Sequence, residues 1–123
     1  MKILVTGGAG FIGSHLVDAL SQDPSNIILV FDNFHRGKRD NIKTPLQDRK
    51  VKLIVGDVRD YSSLKKIGKI DFVYHLAAQS NVIGSSLDPN YAFGSNVDGT
   101  FNILRDASEN NVKGFVFSSS REV

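Results

Sequence analysis

A glycine-rich turn between a short apolar run and an amphipathic segment constrains the fold of this chain more than any other feature. The apolar run 3–5 leads into TGGAGFIG at 6–13, and segment 11–20 has apolar residues at helical spacing. Glycines here allow a tight strand-to-helix turn, let a pyrophosphate approach the backbone and let the helix pack closely on the strand. The pattern predicts a dinucleotide site with the pyrophosphate at the helix amino terminus.

The turn has two alternative interpretations. A glycine-rich connection between a strand and a helix can be purely structural and bind no ligand. The phosphate loop of ATPases is excluded, because Ser14 and His15 follow Gly13 where that loop has Lys and then Ser or Thr. The strand-turn-helix context favours the dinucleotide site.

Five short apolar runs, rich in β-branched and aromatic residues, predict buried strands. They lie at 3–5, 27–31, 51–55, 72–76 and 115–117, and helical patterns lie at 11–20, 61–67 and 88–110. Near-continuous apolar strands are typical of a parallel sheet covered by helices on both faces. We therefore expect an α/β fold, a Rossmann-type doubly wound parallel sheet of about five strands in the order 3-2-1-4-5.

Segment 33–50 departs from this alternation. It is polar and basic, and it contains Pro45 where a second crossover helix would normally pack. We expect a loop there, with room for one short helix. The sequence shows no internal repeat and no interdomain linker, so residues 1–123 are predicted to form one domain.

Composition and charge exclude several functions. The absence of cysteine excludes thiol catalysis and cysteine-ligated zinc, and the cytoplasm is the expected compartment. The 15 Lys and Arg against 13 Asp and Glu give a net charge of +2, far from the basic stripe of a nucleic-acid binder. No apolar run approaches the about 20 residues that span a membrane. His15, His35 and His75 share no metal-ligand spacing, so no metal site is expected.

Asp32 follows the second predicted strand, nineteen residues after Gly13. An acidic residue about 20 residues beyond the turn accepts hydrogen bonds from the ribose diol of a bound adenosine. Its charge would repel a 2′-phosphate, so the sequence favours NAD over NADP. Two alternatives stay open: Arg36 and Lys38 could hold a phosphate instead, or Asp32 could be a simple turn residue.

Six motifs occur in order along the chain, several of them at predicted strand ends. They are TGGAGFIGSHL at 6–16, DNF at 32–34, GDVRD at 56–60, HLAAQ at 75–79, SNVDGT at 95–100 and FSSS at 117–120. Together they resemble the extended short-chain dehydrogenase/reductases, in particular the nucleotide-sugar epimerases and dehydratases of the UDP-glucose 4-epimerase type. The resemblance covers the whole chain and implies NAD as the cofactor.

The resemblance implies roles for the residues of the turn. Gly7, Gly10 and Gly13 would shape the backbone, while the amides of Phe11 and Ile12 would bind the pyrophosphate.

Four further residues would hold the adenosine half of NAD. Asp32 and Asn33 would bind the ribose, Asp57 would accept a hydrogen bond from the adenine amino group, and the Val58 amide would face the ring.

The later motifs would serve the other half of the cofactor. The residues implied to line its central stretch, which could equally be close sheet packing, are Leu76, Ala77 and Ala78. Asn96 and Ser118 would approach the nicotinamide, Gln79 would point toward the substrate, and Ser120 matches the catalytic hydroxyl.

The chemistry of the family also needs a Tyr and a Lys four residues later, on a helix after the fifth strand. Tyr61 and Lys65 have this spacing, but they follow the third strand, at the adenine end. We expect them to begin an ordinary exposed helix capped by Asp60. The resemblance thus implies an incomplete NAD domain, without the Tyr helix and the substrate domain, that binds NAD but does not turn over substrate.

The residues after Ser120 bear on the type of reaction. Sugar dehydratases of the family have an Asp and Glu pair there, whereas this chain has Arg121 and Glu122. The resemblance then favours a 4-epimerase, in which hydride leaves C4 of a nucleotide sugar and returns to its other face. A dehydratase, an NADP-dependent reductase of the same superfamily and a non-catalytic dinucleotide-binding module remain alternatives.

The long helix 88–110 is the expected contact with a second copy of the chain. Its apolar stripe is formed by Phe93, Val97, Phe101 and Leu104. In the family the matching helix packs in a subunit interface, which implies a homo-oligomer.

Overall fold

A five-stranded parallel sheet forms the centre of the computed structural model, which describes residues 1–120. The strands are β1 (Lys2–Thr6), β2 (Ile27–Asp32), β3 (Val51–Val55), β4 (Phe72–His75) and β5 (Gly114–Phe117). Their order is β3-β2-β1-β4-β5, and each adjacent pair is parallel. The predicted fold class and strand order are confirmed.

Helices cover both faces of this sheet. The helices are α1 (Phe11–Ser21), α2 (Tyr61–Lys65), α3 (Val82–Leu87), α4 (Pro89–Phe93) and α5 (Gly99–Glu109). Successive residues of β1 point to opposite faces, so Leu4 packs with Ile103 of α5 on one side, while Ile3 packs with Val17 of α1 on the other. The two apolar layers explain why the strands are apolar throughout.

The predicted helix 88–110 is present as a continuous run of three segments. A π-helical turn, Gly94–Asp98, joins α4 to α5, and Asp88 caps α4 by accepting a hydrogen bond from the Tyr91 amide (2.9 Å). A π turn inserts one residue per turn and frequently marks a functional site. Here it carries Asn96 and Val97.

Two elements differ from the sequence prediction. Segment 33–50 holds two short 3₁₀ helices, Arg39–Ile42 and Pro45–Gln47, rather than one helix, and the buried Ile42 fixes the first of them on the core. Helix α3 was not predicted, because its apolar residues Val82 and Ile83 are exposed and give no core-facing period. Its start is set instead by Asn81, which accepts a hydrogen bond from the Gly84 amide (2.6 Å).

The apolar stripe of the long helix is exposed. Phe101 is 64% exposed and Phe93 is 59% exposed, and Val97 and Leu104 are also accessible. On the outer strand of the sheet, Val116 and Phe117 of β5 are exposed as well. Four apolar residues along one helix and two on the outer strand are thus exposed, whereas exposed apolar residues are usually scattered singly.

Candidate functional site: a groove at the carboxyl edge of the sheet

A long groove runs along the carboxyl ends of the strands, where β1 lies between β2 and β4. In doubly wound sheets the chain reverses its direction of winding at this point and leaves a crevice. The groove has a volume of ≈ 1230 Å³, above the roughly 300–1,000 Å³ of ordinary small-molecule sites. It is lined from the glycine turn through Asp32 and Val58 to Ser118 and Ser120, which suits an extended ligand.

The glycine turn can be built only without side chains at two of its positions. Gly7 has φ +68°, and a Cβ there would lie 2.8 Å from the Ala77 amide nitrogen. A Cβ on Gly13 would lie 2.2 Å from the Gly7 carbonyl oxygen. The turn is therefore pressed against both β4 and α1.

The amino terminus of α1 opens into the groove. Gly10 is the N-cap and contributes no side-chain cap, so the first backbone N–H groups of the helix face the groove beside the exposed Phe11 and Ile12. Free N–H groups and the helix dipole favour an anion at this point. The cradle therefore fits the pyrophosphate of a dinucleotide.

Asp32 lies on the groove wall and connects the turn to the loop after β2. Its carboxylate accepts hydrogen bonds from the amides of Ala9 (2.9 Å) and Phe34 (2.8 Å). A Cβ on Gly37 would lie 2.8 Å from one carboxylate oxygen, so the loop closes tightly over Asp32. A carboxylate has about four acceptor positions, and the two that remain can serve a ligand.

Asp57 is held by Arg59 and Asn33. The guanidinium of Arg59 donates from Nε (2.9 Å) and Nη2 (2.8 Å), and the amide of Asn33 donates at 3.0 Å. The hydrogen bond from Arg59, with the help of Asn33, lowers the pKa of Asp57 to about 2. The groove is lined by the neighbours Gly56 and Val58, and Asp57 does not line it.

Sequence reasoning missed two aromatic residues on the same wall. Tyr91 accepts a hydrogen bond from the Asn33 amide (2.9 Å) and stacks on the ring of His35, with ring centres 4.2 Å apart. Both line the groove. No periodic signal could have found these two residues. The hydrogen bond between Asn33 and Tyr91 joins positions 58 residues apart, and only the fold brings them together.

The other end of the groove is organised by Asn96. The Asn96 side-chain amide donates to the backbone carbonyl of Gln79 (3.1 Å) and accepts from the backbone N–H of Gln79 (2.7 Å). This reciprocal pair fixes the chain just after β4, where Leu76, Ala77 and Ala78 line the groove. Gln79 is buried, and its Oε1 has no hydrogen-bond partner within the described part of the chain.

His75 is the last residue of β4 and is 1% exposed. Thr100 Oγ1 donates to the Asn96 carbonyl, so it accepts from His75 Nε2 (3.0 Å). Thr6 Oγ1 accepts from the amides of Leu76 and Ala77, and its own proton goes to His75 Nδ1 (2.6 Å). This pattern assigns a neutral imidazole protonated at Nε2, and burial lowers the pKa of His75 to about 4.

The Tyr61 and Lys65 pair lies outside the groove, on α2. Asp60 caps this helix by accepting from the Ser62 amide (3.0 Å), as predicted. Lys65 pairs with Glu109, and the ring of Tyr61 lies under Arg105, at 4.3 Å. The expectation of an ordinary exposed helix start was wrong for Tyr61, whose ring is half-buried against the core.

Residues 1–120 contain neither a metal-binding cluster nor a membrane-spanning helix. Within this range no group of three or more His, Asp or Glu side chains could hold a metal ion. No helix in the range is long and apolar enough to cross a membrane. The Arg121 and Glu122 pair lies outside the described residues.

The sequence matches the model of the NAD dependent epimerase/dehydratase family over residues 3–123. The chain belongs to this family. It is 42% identical to UDP-glucose 4-epimerase of Lactobacillus helveticus over 123 residues, which is 98% of this chain and 36% of that protein. It is also 42% identical to UDP-glucuronic acid decarboxylase 6 of Arabidopsis thaliana over 104 residues, which is 85% of this chain and 29% of that protein.

Solved structures agree with these relatives. The Thermus thermophilus UDP-glucose 4-epimerase in complex with NAD superimposes with a TM-score of 0.83 and is 35% identical, over 98% of this chain and 38% of that one. The predicted family and the NAD cofactor are therefore confirmed. The chain spans about a third of the length of the relatives it matches.

Burial of a neutral His75 predicts a specific pH dependence of stability. The unfolded chain binds a proton at this histidine below pH 6.5, whereas the folded chain does so only near pH 4. The free energy of unfolding should fall by up to about 3 kcal/mol as the pH drops between these values. Denaturant titrations from pH 7 to pH 4 measure this, and NMR titration of the imidazole gives its pKa directly.

Two comparisons isolate His75. The His75→Gln variant should lose this dependence, while His15→Gln, at an exposed position of α1, should keep it. Asp57 and Glu109, whose pKa values are lowered from 3.8 and 4.5 to about 2, add a loss that begins below about pH 5 and that His75→Gln retains. A pKa near 6.5 for His75 in the folded protein would contradict the assignment.

Proposed function

We propose that this protein holds NAD in the groove for an epimerase that acts at C4 of a nucleotide sugar. The observation that carries the proposal is the continuity of the groove. A single crevice joins the anion cradle at α1, the carboxylate of Asp32 and the hydroxyls of Ser118 and Ser120.

At the adenosine end, the contacts support distinct roles for four residues. Asp32 keeps two acceptor positions for the ribose hydroxyls, and Val58 offers its amide on the wall beside the base. Asn33 and Asp57 are bonded to each other, so a ribose hydroxyl and an adenine amino group would compete with that bond.

At the other end, this chain orients the reactants. NAD supplies the hydride acceptor for the reaction of the family. Asn96 and Ser118 would position the nicotinamide, and the Ser120 hydroxyl would approach the sugar. The buried Oε1 of Gln79 needs a donor, which a substrate hydroxyl would supply.

The curated relatives include 4-epimerases and UDP-glucuronic acid decarboxylases, and relatives of each kind match 98% or more of this chain. The solved structures favour an epimerase, because the UDP-glucose 4-epimerases of Thermus thermophilus and Thermotoga maritima each superimpose over 98% of this chain. A decarboxylase acting on UDP-glucuronic acid is therefore the second candidate. A dehydratase is supported by the description of the family model alone, and we rank it below these two candidates, together with an NADP-dependent reductase and a purely binding role.

We expect NAD to bind more tightly than NADP. The 2′-phosphate of NADP would meet the Asp32 carboxylate, which is fixed by two backbone amides and cannot turn away. Calorimetric titration with both cofactors measures the difference, and Asp32→Asn should reduce it. Tighter binding of NADP would instead assign Arg36 and Lys38, which also line the groove, as phosphate ligands.

We expect the 123-residue chain to bind NAD without turning over a nucleotide sugar. Among the described residues, Tyr91 is the tyrosine that lines the groove, and it lies at the adenosine end. Loss of a general base lowers the rate by a factor of about 10² to 10⁴. Interconversion of UDP-glucose and UDP-galactose, with UDP-glucuronic acid as a parallel substrate, tests this against a chain of the relatives' length.

Turnover by the 123-residue chain would overturn that prediction. The Tyr61→Phe and Lys65→Ala variants would then be examined first, because these residues have the spacing of the catalytic pair. Turnover of UDP-glucuronic acid alone by the longer chain would favour the decarboxylase.

We expect the protein to self-associate through the apolar stripe of the long helix. Burial of such a surface contributes roughly 25 cal/mol for each Å² removed from water. Sedimentation velocity at several concentrations should show a dimer or larger species, and Phe101→Glu should shift the protein toward monomer. A monomer at the highest concentration would count against this interface.

A further inference from the structure

A cluster of polar and aromatic side chains borders the proposed adenosine side of the groove, with Asn33, His35 and Tyr91 in the lining, and the family roles account for only part of it. The cluster, here called the Tyr91 latch, joins three separate segments of the chain. Its members are Asn33 and His35 after β2, Asp57 and Arg59 after β3, and Tyr91 on α4.

Both polar atoms of the Asn33 side chain are engaged. Its Nδ2 donates to Asp57 (3.0 Å) and to the Tyr91 hydroxyl (2.9 Å), and its Oδ1 accepts from the His35 amide (2.9 Å). The next residue, Phe34, has φ +58°, a conformation that a non-glycine residue keeps only when its surroundings impose it. Asn33 therefore fixes the loop, and Tyr91 is one of the groups that fix Asn33.

The ring of Tyr91 makes two further contacts. It stacks on His35 with an interplanar angle of 28°, and the guanidinium carbon of Arg59 lies 4.4 Å from its centre. Arg59 is in turn bound to Asp57 by two side-chain hydrogen bonds. Stacking and cation–π contacts of this kind hold the ring in one orientation.

The loop that the latch holds is a wall of the groove. Besides Asn33 and His35, the lining includes Arg36, Gly37 and Lys38. Movement of Tyr91 would release Asn33 and His35 together, which form the near end of this wall. The far end and the glycine turn would stay in place, because the Lys38 amide donates to the Ala9 carbonyl (3.0 Å) and the Gly7 amide donates to the Phe31 carbonyl of β2 (2.8 Å).

We propose that Tyr91 is a positioning residue for the adenosine half of NAD, acting through Asn33 and His35 on the loop at 33–38. The inference rests on the proposed binding of NAD in this groove. It predicts a loss of affinity confined to ligands that contain adenosine.

The experiment measures the Kd of the full chain for NAD, ADP-ribose and nicotinamide mononucleotide. Calorimetry serves the first two ligands, and NMR chemical-shift titration at millimolar concentration serves the third. Tyr91→Phe removes only the hydroxyl and should raise the Kd for NAD and ADP-ribose about threefold. Tyr91→Ala also removes the ring contacts and should raise both about tenfold or more.

Two further variants separate positioning from general destabilisation. His35→Ala should weaken ADP-ribose binding, and His35→Phe, which keeps a stacking ring, should restore most of it. Asn90→Ala changes the exposed neighbour of Tyr91 on α4 and is the matched control. The Kd for nicotinamide mononucleotide should stay within twofold in every variant.

The outcomes are distinguishable. Equal losses for ADP-ribose and nicotinamide mononucleotide, or no loss in Tyr91→Ala, would overturn the positioning role while leaving NAD binding intact. Failure of the unaltered protein to bind NAD or ADP-ribose would overturn the proposed function, and the latch proposal with it.

Discussion

The close approach of the glycine turn to the end of β4 is the constraint on which the rest of the molecule depends. A Cβ at position 7 would lie within 3 Å of the Ala77 backbone, and one at position 13 would overlap the Gly7 carbonyl. Because interiors are close-packed, such overlaps cannot be relieved by small shifts of the backbone. The absence of two side chains thus brings α1, β1 and β4 together and leaves helix N–H groups facing the groove.

A neutral histidine also connects the elements that meet at this turn. His75 joins Thr6 of β1 to Thr100 of α5, and the Thr6 hydroxyl in turn accepts from the two amides that follow β4. Each of these three side chains has hydrogen-bond partners, and a buried polar network is not destabilising when its members are satisfied. The segment at 76–78 is therefore held by side-chain hydrogen bonds as well as by the sheet.

The sequence was sufficient where a local pattern determines the structure, and insufficient where distant segments meet. The five strands follow from apolar runs and the capped start of α2 follows from Asp60, and both signals act over a few residues. The latch on Tyr91 and the pairing of Asn96 with Gln79 depend on contacts across 58 and 17 positions. Neither leaves a periodic trace, because polar side chains at a sheet edge follow no repeat.

The same contacts explain why this part of the family can serve different reactions. An epimerase and a decarboxylase are each 42% identical to this chain. The anion cradle is formed by backbone N–H groups and by glycines that leave space, and neither depends on the chemistry of the sugar. Function is determined at the site rather than by the fold. Away from the cradle this chain places Ser118 and Ser120 on the groove lining, together with Gln79, whose buried Oε1 has no partner among residues 1–120.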